Sequence, residues 1–292
     1  MTSEAVRVAW PWLGHVIEVA SLLLFGWCWV EARRSDGALH LELLVAVVYG
    51  WLLETLDMWV FGSYHYSLVT WWWVGDVPVY IPLLWAAILH SSMAISDRTS
   101  LPRWARPFLD GLLAVLIDFT IDAIAIRVGL WRWKIPLNEG WFGVPAGNLC
   151  AWMWVAAWYG GFTRLVRARV EHRGEPKWHY ALIPLFAYAG MGTSLVVTGT
   201  AGRWCGLETP NQRLWLFVIQ ALAFLLIVGY ASSHRPALSG KDPALMSLSW
   251  SRWLMHGGFL VVLFASSVWH QVPILIAVSG AAMLIEWWAQ RE

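Results

Sequence analysis

The chain runs as apolar blocks of about 20 residues separated by short polar connections, and about 20 residues is what an α-helix needs to cross a hydrocarbon core. The blocks predict helices at 13–31, 41–61, 77–96, 108–128, 145–165, 180–200, 213–232, 252–269 and 273–289. Only His270, Gln271 and Val272 separate the last two, so eight or nine spans both fit the pattern. The runs lack the short alternating segments of a membrane β-barrel. The expected fold is all-α, a polytopic transmembrane helical bundle forming one membrane domain over 1–292. Its expected parts are a core at 41–165, helices at 180–232, a polar linker at 233–251 and a C-terminal hairpin at 252–289.

Within that core a pattern recurs at an offset of 67 residues, marking two helix–loop–helix units at about 45–96 and 108–165. Gly62 answers Gly129, Tyr64 answers Trp131, Tyr66 answers Trp133, Val77-Pro78 answers Val144-Pro145, and Trp85 answers Trp152. Each copy is an apolar run with two carboxylates, a Gly-aromatic-x-aromatic turn, a Val-Pro and a second apolar run. Both copies run in the same direction, which implies an axis along the membrane normal and a cavity where the copies meet.

Composition strengthens the membrane reading: 59% of residues are hydrophobic and 13% charged, against about 25% charged in a soluble domain. A net charge of +1 offers no field for nucleic acid. The three cysteines, Cys28, Cys150 and Cys205, have no CxxC spacing and suggest neither a zinc site nor a disulfide framework. Residues 1–12, with Trp10, Pro11 and Trp12, do not read as a cleavable signal. The 25 tryptophans suit interfacial belts, and a subset would equally suit an aromatic-walled cavity that stabilises a cation.

Basic residues give the orientation. Connections after the odd-numbered helices carry thirteen: Arg33, Arg34, Arg98, Arg103, Arg106, Arg164, Arg167, Arg169, Arg173, Lys177, Arg235, Lys241 and Arg252. The other side carries six: Arg7, Arg127, Arg132, Lys134, Arg203 and Arg213. The positive-inside rule puts the thirteen in the cytoplasm and the N-terminus outside.

Ionisable groups within spans are costly and turn towards a bundle interior or a wet cavity. Glu54 and Asp57 share one helix face, and Asp118 and Asp122 share another. These four are the candidate acid/base set. A buried carboxyl can stay protonated and act as an acid while a neighbour stays ionised. That equipment can protonate a trisubstituted alkene, and aromatic faces can stabilise the tertiary cation. A structural role as helix glue is the competing reading. Tyr64, Tyr66, Trp85, Trp131, Trp133, Asn148 and Trp152 are the candidate substrate- and cation-binding residues, with interfacial anchoring the alternative for the tyrosines. Glu18, Glu42 and Glu286 read as helix-end or packing residues. His90, His256 and His270 have no ligand spacing, no metal site is predicted, and GxGxxG, Walker A and GxSxG are absent.

The segments FGSYHY, VPVYIPLLW, DFTIDAIA, GLWRW and WFGVPAGNLCAW resemble the integral-membrane carotenoid biosynthesis family, which includes cofactor-independent carotenoid 1,2-hydratases of the bisanhydrobacterioruberin hydratase type. The likeness covers about 45–165, and Gly143, Val144, Pro145, Asn148 and Trp152 are its more specific part. Where the family pattern has Pro after the second Asp, this chain has Ala123. The resemblance implies water addition to the terminal double bond of an acyclic carotenoid drawn from the bilayer, without a cofactor. By analogy it implies a prokaryotic cytoplasmic membrane. Rival readings are an isoprenoid cyclase or isomerase using the same cation, a Mg²⁺-dependent prenyltransferase on the Asp118-x-x-x-Asp122 pair, and a non-enzymatic transporter or pigment-assembly protein.

Overall fold

A computed structural model describes residues 12–34, 38–66, 70–233 and 243–290. It contains nine α-helices among the described residues: α1 Leu13–Arg34, α2 Leu39–Val60, α3 Tyr80–Arg98, α4 Arg106–Val128, α5 Ala146–Arg173, α6 Ile183–Trp204, α7 Pro210–Ser233, α8 Pro243–Ala265 and α9 Ile274–Ala289. Four helical segments are long and apolar enough to cross a membrane: α1, α2, Lys177–Trp204 (which includes α6) and α7. The 270–273 region separates two helices: α8 stops at Ala265, a 3₁₀ turn spans Val268–His270, and Pro273 opens α9.

The interior is organised on α3. Nearly all of Tyr80–Ser96 is buried, and α3 packs against α1, α2, α4, α5 and α8. Its small residues Ala86, Ala87, Ser91, Ser92 and Ala94 let neighbouring backbones approach, as in membrane bundles generally. At the α2–α3 crossing, a Cβ on Gly50 would lie 2.7 Å from Trp85 Cβ, so only glycine fits.

Two ribbons cap one end. Gly62 and Gly129 follow α2 and α4 with φ of 52° and 79°, a left-handed conformation that glycine adopts without steric cost. They launch β1 (Tyr64–Tyr66) and β4 (Trp131–Trp133), which pair antiparallel with Tyr64 opposite Trp133 and Tyr66 opposite Trp131. A second ribbon joins β2 (Trp73–Val74) to β3 (Val77–Pro78), pairing Val74 with Val77, and Trp141 pairs likewise with Val144 67 residues later. Glu18 on α1 fixes the first of these loops by accepting the Trp71 and Trp72 N–H groups at 2.9 Å each.

Several expected boundaries differ. α5 runs to Arg173, ending at left-handed Gly174, so Arg164, Arg167, Arg169 and Arg173 are helical and not loop residues. α8 begins at Pro243, which places Arg252 mid-helix and fully buried and not in a polar connection. The remaining linker at 234–242, with Arg235 and Lys241, lies outside the described residues, as do Arg7, Trp10 and Pro11.

Glu42 and Glu286 also do more than pack. At the end of the bundle opposite the ribbons, Arg164 meets Asp110 at 2.5 Å and Asp97 at 2.7 Å, and Arg167 holds both oxygens of Glu42 at 2.7 and 2.6 Å. Arg167 reaches Asp97 as well, at 2.9 Å. Buried Arg252 pairs with Glu286, donates to the Leu113 carbonyl and reaches Ser92 at 2.9 Å, tying α8 and α9 to α3 and α4.

Candidate active site

A cavity of about 740 Å³ lies beneath the β1–β4 ribbon. Its walls come from α2, α3, α4, α5, α6 and the start of α7. Three of the four predicted carboxylates, Glu54, Asp57 and Asp122, line it, as do Tyr64, Tyr66, Trp85, Trp131, Trp133, Asn148 and Trp152. Asp118 does not line it. One helical turn behind Asp122, Asp118 is fully buried.

Glu54 sits at the convergence of three donors. Tyr64 and Tyr66 hydroxyls both donate to its Oε2, the latter at 2.5 Å, and Trp85 Nε1 donates to Oε1 at 2.6 Å. The ribbon makes this possible: residues 64 and 66 lie two apart on a strand, on one face. Burial, then the neighbouring Glu54 charge, pushes both phenols well above their ordinary pKa, so each remains an O–H donor. Asp57, one turn on, accepts from Ser63 Oγ at 2.9 Å.

Across the cavity the Asn148 amide reaches Asp118 Oδ2 at 3.0 Å and Asp122 Oδ2 at 2.7 Å. Asn148 can do so because Pro145 starts α5 and leaves the side chain in its first turn, facing α4. The carboxyls of Asp118 and Asp122, one helical turn apart on α4, are close electrostatic neighbours that share the Asn148 amide. Aromatic rings enclose the space between the two groups: Trp85 packs on Trp152 at 4.2 Å between centroids, and Tyr64 on Trp133 at 4.6 Å.

The contrast with the opposite end of the bundle is chemical. There, Asp97, Asp110 and Glu42 are neutralised by Arg164 and Arg167, and deeper in, Glu286 by Arg252. Glu54, Asp118 and Asp122 are held by phenols, indole and amide instead. The nearest arginine along α4, Arg127, is turned to the carbonyls of Ala123, Phe142 and Leu137. An uncompensated carboxyl cluster facing an apolar cavity can donate a proton to, and stabilise a cation in, a substrate without charge of its own.

A sequence profile described as carotenoid biosynthesis protein matches residues 11–210, about two-thirds of the chain. The chain belongs to the carotenoid biosynthesis protein family. The match extends past the motif-bearing segment on both sides. It takes in α1 and α6, so the family region contains nearly every cavity wall and stops where α7 begins. No significant match is found among curated proteins or solved structures.

Sequence reasoning missed the far wall. Tyr188, Gly192, Leu195, Gly199 and Gly202 follow a helical spacing along one face of α6 and line the cavity, and Arg203 and Arg213 line it near the α6–α7 turn. The spacing of these residues was readable, but nothing in an apolar stripe says what it faces. Ser63 was missed because a lone serine in a turn has no signature. The correspondence between helices was also hidden. Glu42 and Glu54 on α2 match Asp110 and Asp122 on α4 at an offset of 68, not 67. One residue fewer separates Asp122 from Gly129 than Glu54 from Gly62.

Proposed function

We propose that this carotenoid biosynthesis protein is a cofactor-independent hydratase. It adds water to the terminal trisubstituted double bond of an acyclic carotenoid, giving a tertiary alcohol. The observation that carries the reading is the carboxyl cluster of Glu54, Asp118 and Asp122, paired with no arginine among the described residues, with Glu54 and Asp122 lining an aromatic, largely apolar cavity. Protonation of the alkene forms one C–H bond and breaks the π bond. The cation that results lies among Trp85, Trp152, Trp131 and Trp133, and Glu54 supplies the opposing charge. Water forms the C–O bond and returns a proton to the carboxyl set, so the cycle balances without a cofactor. Asp57 and Ser63 give a polar edge from which water can be held.

The nine helices are read as an eight- or nine-span bundle in a prokaryotic cytoplasmic membrane, the ribbon end outside and the Arg164–Arg167 end cytoplasmic. The helix–loop–helix units are read as a duplication. Equivalent tryptophans Trp85 and Trp152 touch, equivalent strands β1 and β4 pair about His65 and Arg132, and Glu54 and Asp122 enter one cavity from two sides. These contacts are what a pseudo-two-fold axis through the cavity would produce, and they support that reading.

Arg203 and Arg213 at the cavity edge favour one alternative, a substrate with an anionic head such as a prenyl diphosphate. Expression in a lycopene-producing bacterial host separates the two. An acyclic tertiary alcohol supports hydration. A cyclised product of unchanged mass replaces it with a cyclase through the same cation. Loss of product on chelating Mg²⁺ replaces it with prenyl transfer.

A further inference from the structure

We infer that the three buried carboxylates have fixed and different roles: Asp122 is the proton donor, Asp118 shares and positions its proton, and Glu54 is a standing anion. The assignment rests on the hydratase reading for its substrate, but not for its test.

The argument is a count of hydrogens. Tyr64, Tyr66 and Trp85 place three donor hydrogens on Glu54. Each phenol or indole hydrogen needs an acceptor here, and a carboxylate accepting two or three such bonds is held in its charged form. A proton on Glu54 would compete with those donors for the same lone pairs. Glu54 is therefore the ionised member.

The α4 pair is the opposite case. Asn148 has one amide nitrogen, and it serves one oxygen of each aspartate. Asp118 Oδ1 is buried and receives no donor. Two adjacent carboxyls with one short of a donor cannot both be ionised, since like charges one helical turn apart repel in a buried site and no described residue gives that oxygen a hydrogen. One shared proton meets both demands, bridging Asp118 and Asp122. Charged groups that could relieve the pair are engaged elsewhere. Arg127 is on three carbonyls, and Arg252, whose α8 packs on α4, is on Leu113 and Glu286. Arg203 and Arg213, at the cavity edge, donate to Thr200 Oγ1 and to the Leu207 carbonyl. Glu54, across the cavity, adds a further negative charge that keeps the proton on the pair.

Only Asp122 of the pair lines the cavity, so it delivers the proton. Asp118 touches no cavity space and acts through Asp122. It takes the hydrogen bond that orients Asp122 and holds the residual proton affinity between turnovers. Asn148 fixes both carboxyls in register. After water captures the cation, the proton released from the oxonium returns to Asp122 and the pair is restored.

The test is infrared spectroscopy of the full chain in liposomes without any carotenoid, following the carbonyl stretch of protonated carboxylic acid. The band is expected to shift when the protein carries carboxyl-¹³C aspartate and to stay when it carries carboxyl-¹³C glutamate. It is expected to vanish in D118N/D122N and to persist in E54Q. A band that moves with glutamate label, or one lost in E54Q and kept in D118N/D122N, overturns the assignment, as does a wild-type protein with no such band. Isotope labelling needs no substitution, so a misfolded variant does not leave the question open. In the carotenoid assay D122N should lower turnover about 10²–10⁴-fold. D118N should retain measurable turnover with an altered pH profile. A wild-type protein that shows the aspartate band but no turnover refutes the hydratase reading and leaves the proton assignment standing.

Discussion

Asp110→Asn and Asp122→Asn make the same chemical change on the same helix, twelve residues or about 18 Å apart, and should have opposite consequences. Asp110 is completely buried and takes Arg164 Nη1 at 2.5 Å, with Ser96 Oγ as a further donor. An amide there leaves the guanidinium short of one buried countercharge. Breaking a buried pair from one side costs about 3–5 kcal/mol. Because Asp97 still holds Arg164 Nε at 2.7 Å, the loss should fall near the low end, about 3 kcal/mol. At roughly 2–4 °C per kcal/mol, that is a drop of about 6–12 °C in unfolding midpoint. Asp122→Asn strips no cation of its partner, and an amide can still accept from Asn148 and donate to Asp118. Its cost should be about 1 kcal/mol or less, while activity collapses. The assay is thermal unfolding in detergent followed by tryptophan fluorescence, beside carotenoid turnover of each variant. If Asp122→Asn unfolds as early as Asp110→Asn, the carboxyls at the ribbon end are structural glue and the division between the two ends of α4 is wrong.

Other outcomes follow from the same geometry. Trp85→Phe removes one of three donors to Glu54 and should lower turnover about 10²–10³-fold, as loss of a single preorganised donor does elsewhere, with steady-state kinetics as the check. Gly192→Leu adds a side chain where a Cβ meets nothing within 4 Å, so stability should change by less than about 0.5 kcal/mol while KM for a long polyene rises. Arg252→Met should cost about 3 kcal/mol, near the low end for a buried pair because His256 Nε2 still lies 3.2 Å from Glu286, and Arg252→Met/Glu286→Met should recover most of that in the same unfolding assay.

The helices were legible because long apolar runs mark them, which made their rough positions accessible, and four of the helical segments are long and apolar enough to cross a membrane. Their ends were less so: Arg164, Arg167 and Arg252 look like loop cations in a linear count, and only packing shows that each answers a buried acid. Of the cavity, the motif-rich residues were accessible because the two turns repeat, and ten of the eleven nominated residues reach the same space. Asp118 was grouped with them by its i, i+4 relation to Asp122, and helical spacing cannot tell a residue that faces a cavity from one that stands just behind. The α6 wall was hidden for the opposite reason. Glycine and leucine at helical spacing carry no chemistry, and their role depends on what stands across the gap. The two carboxylate-bearing helices looked mismatched because a one-residue difference between Asp122 and the turn breaks an ungapped comparison, though it leaves both side chains aimed into one cavity.

The most direct test of the central claim is turnover of an acyclic carotenoid by the purified protein in H₂¹⁸O, wild type beside D118N/D122N, with products read by mass spectrometry. The account expects one labelled water added per reacting end as a tertiary alcohol, and no such product from the double variant. A product without label, or equal labelling by the double variant, would contradict it.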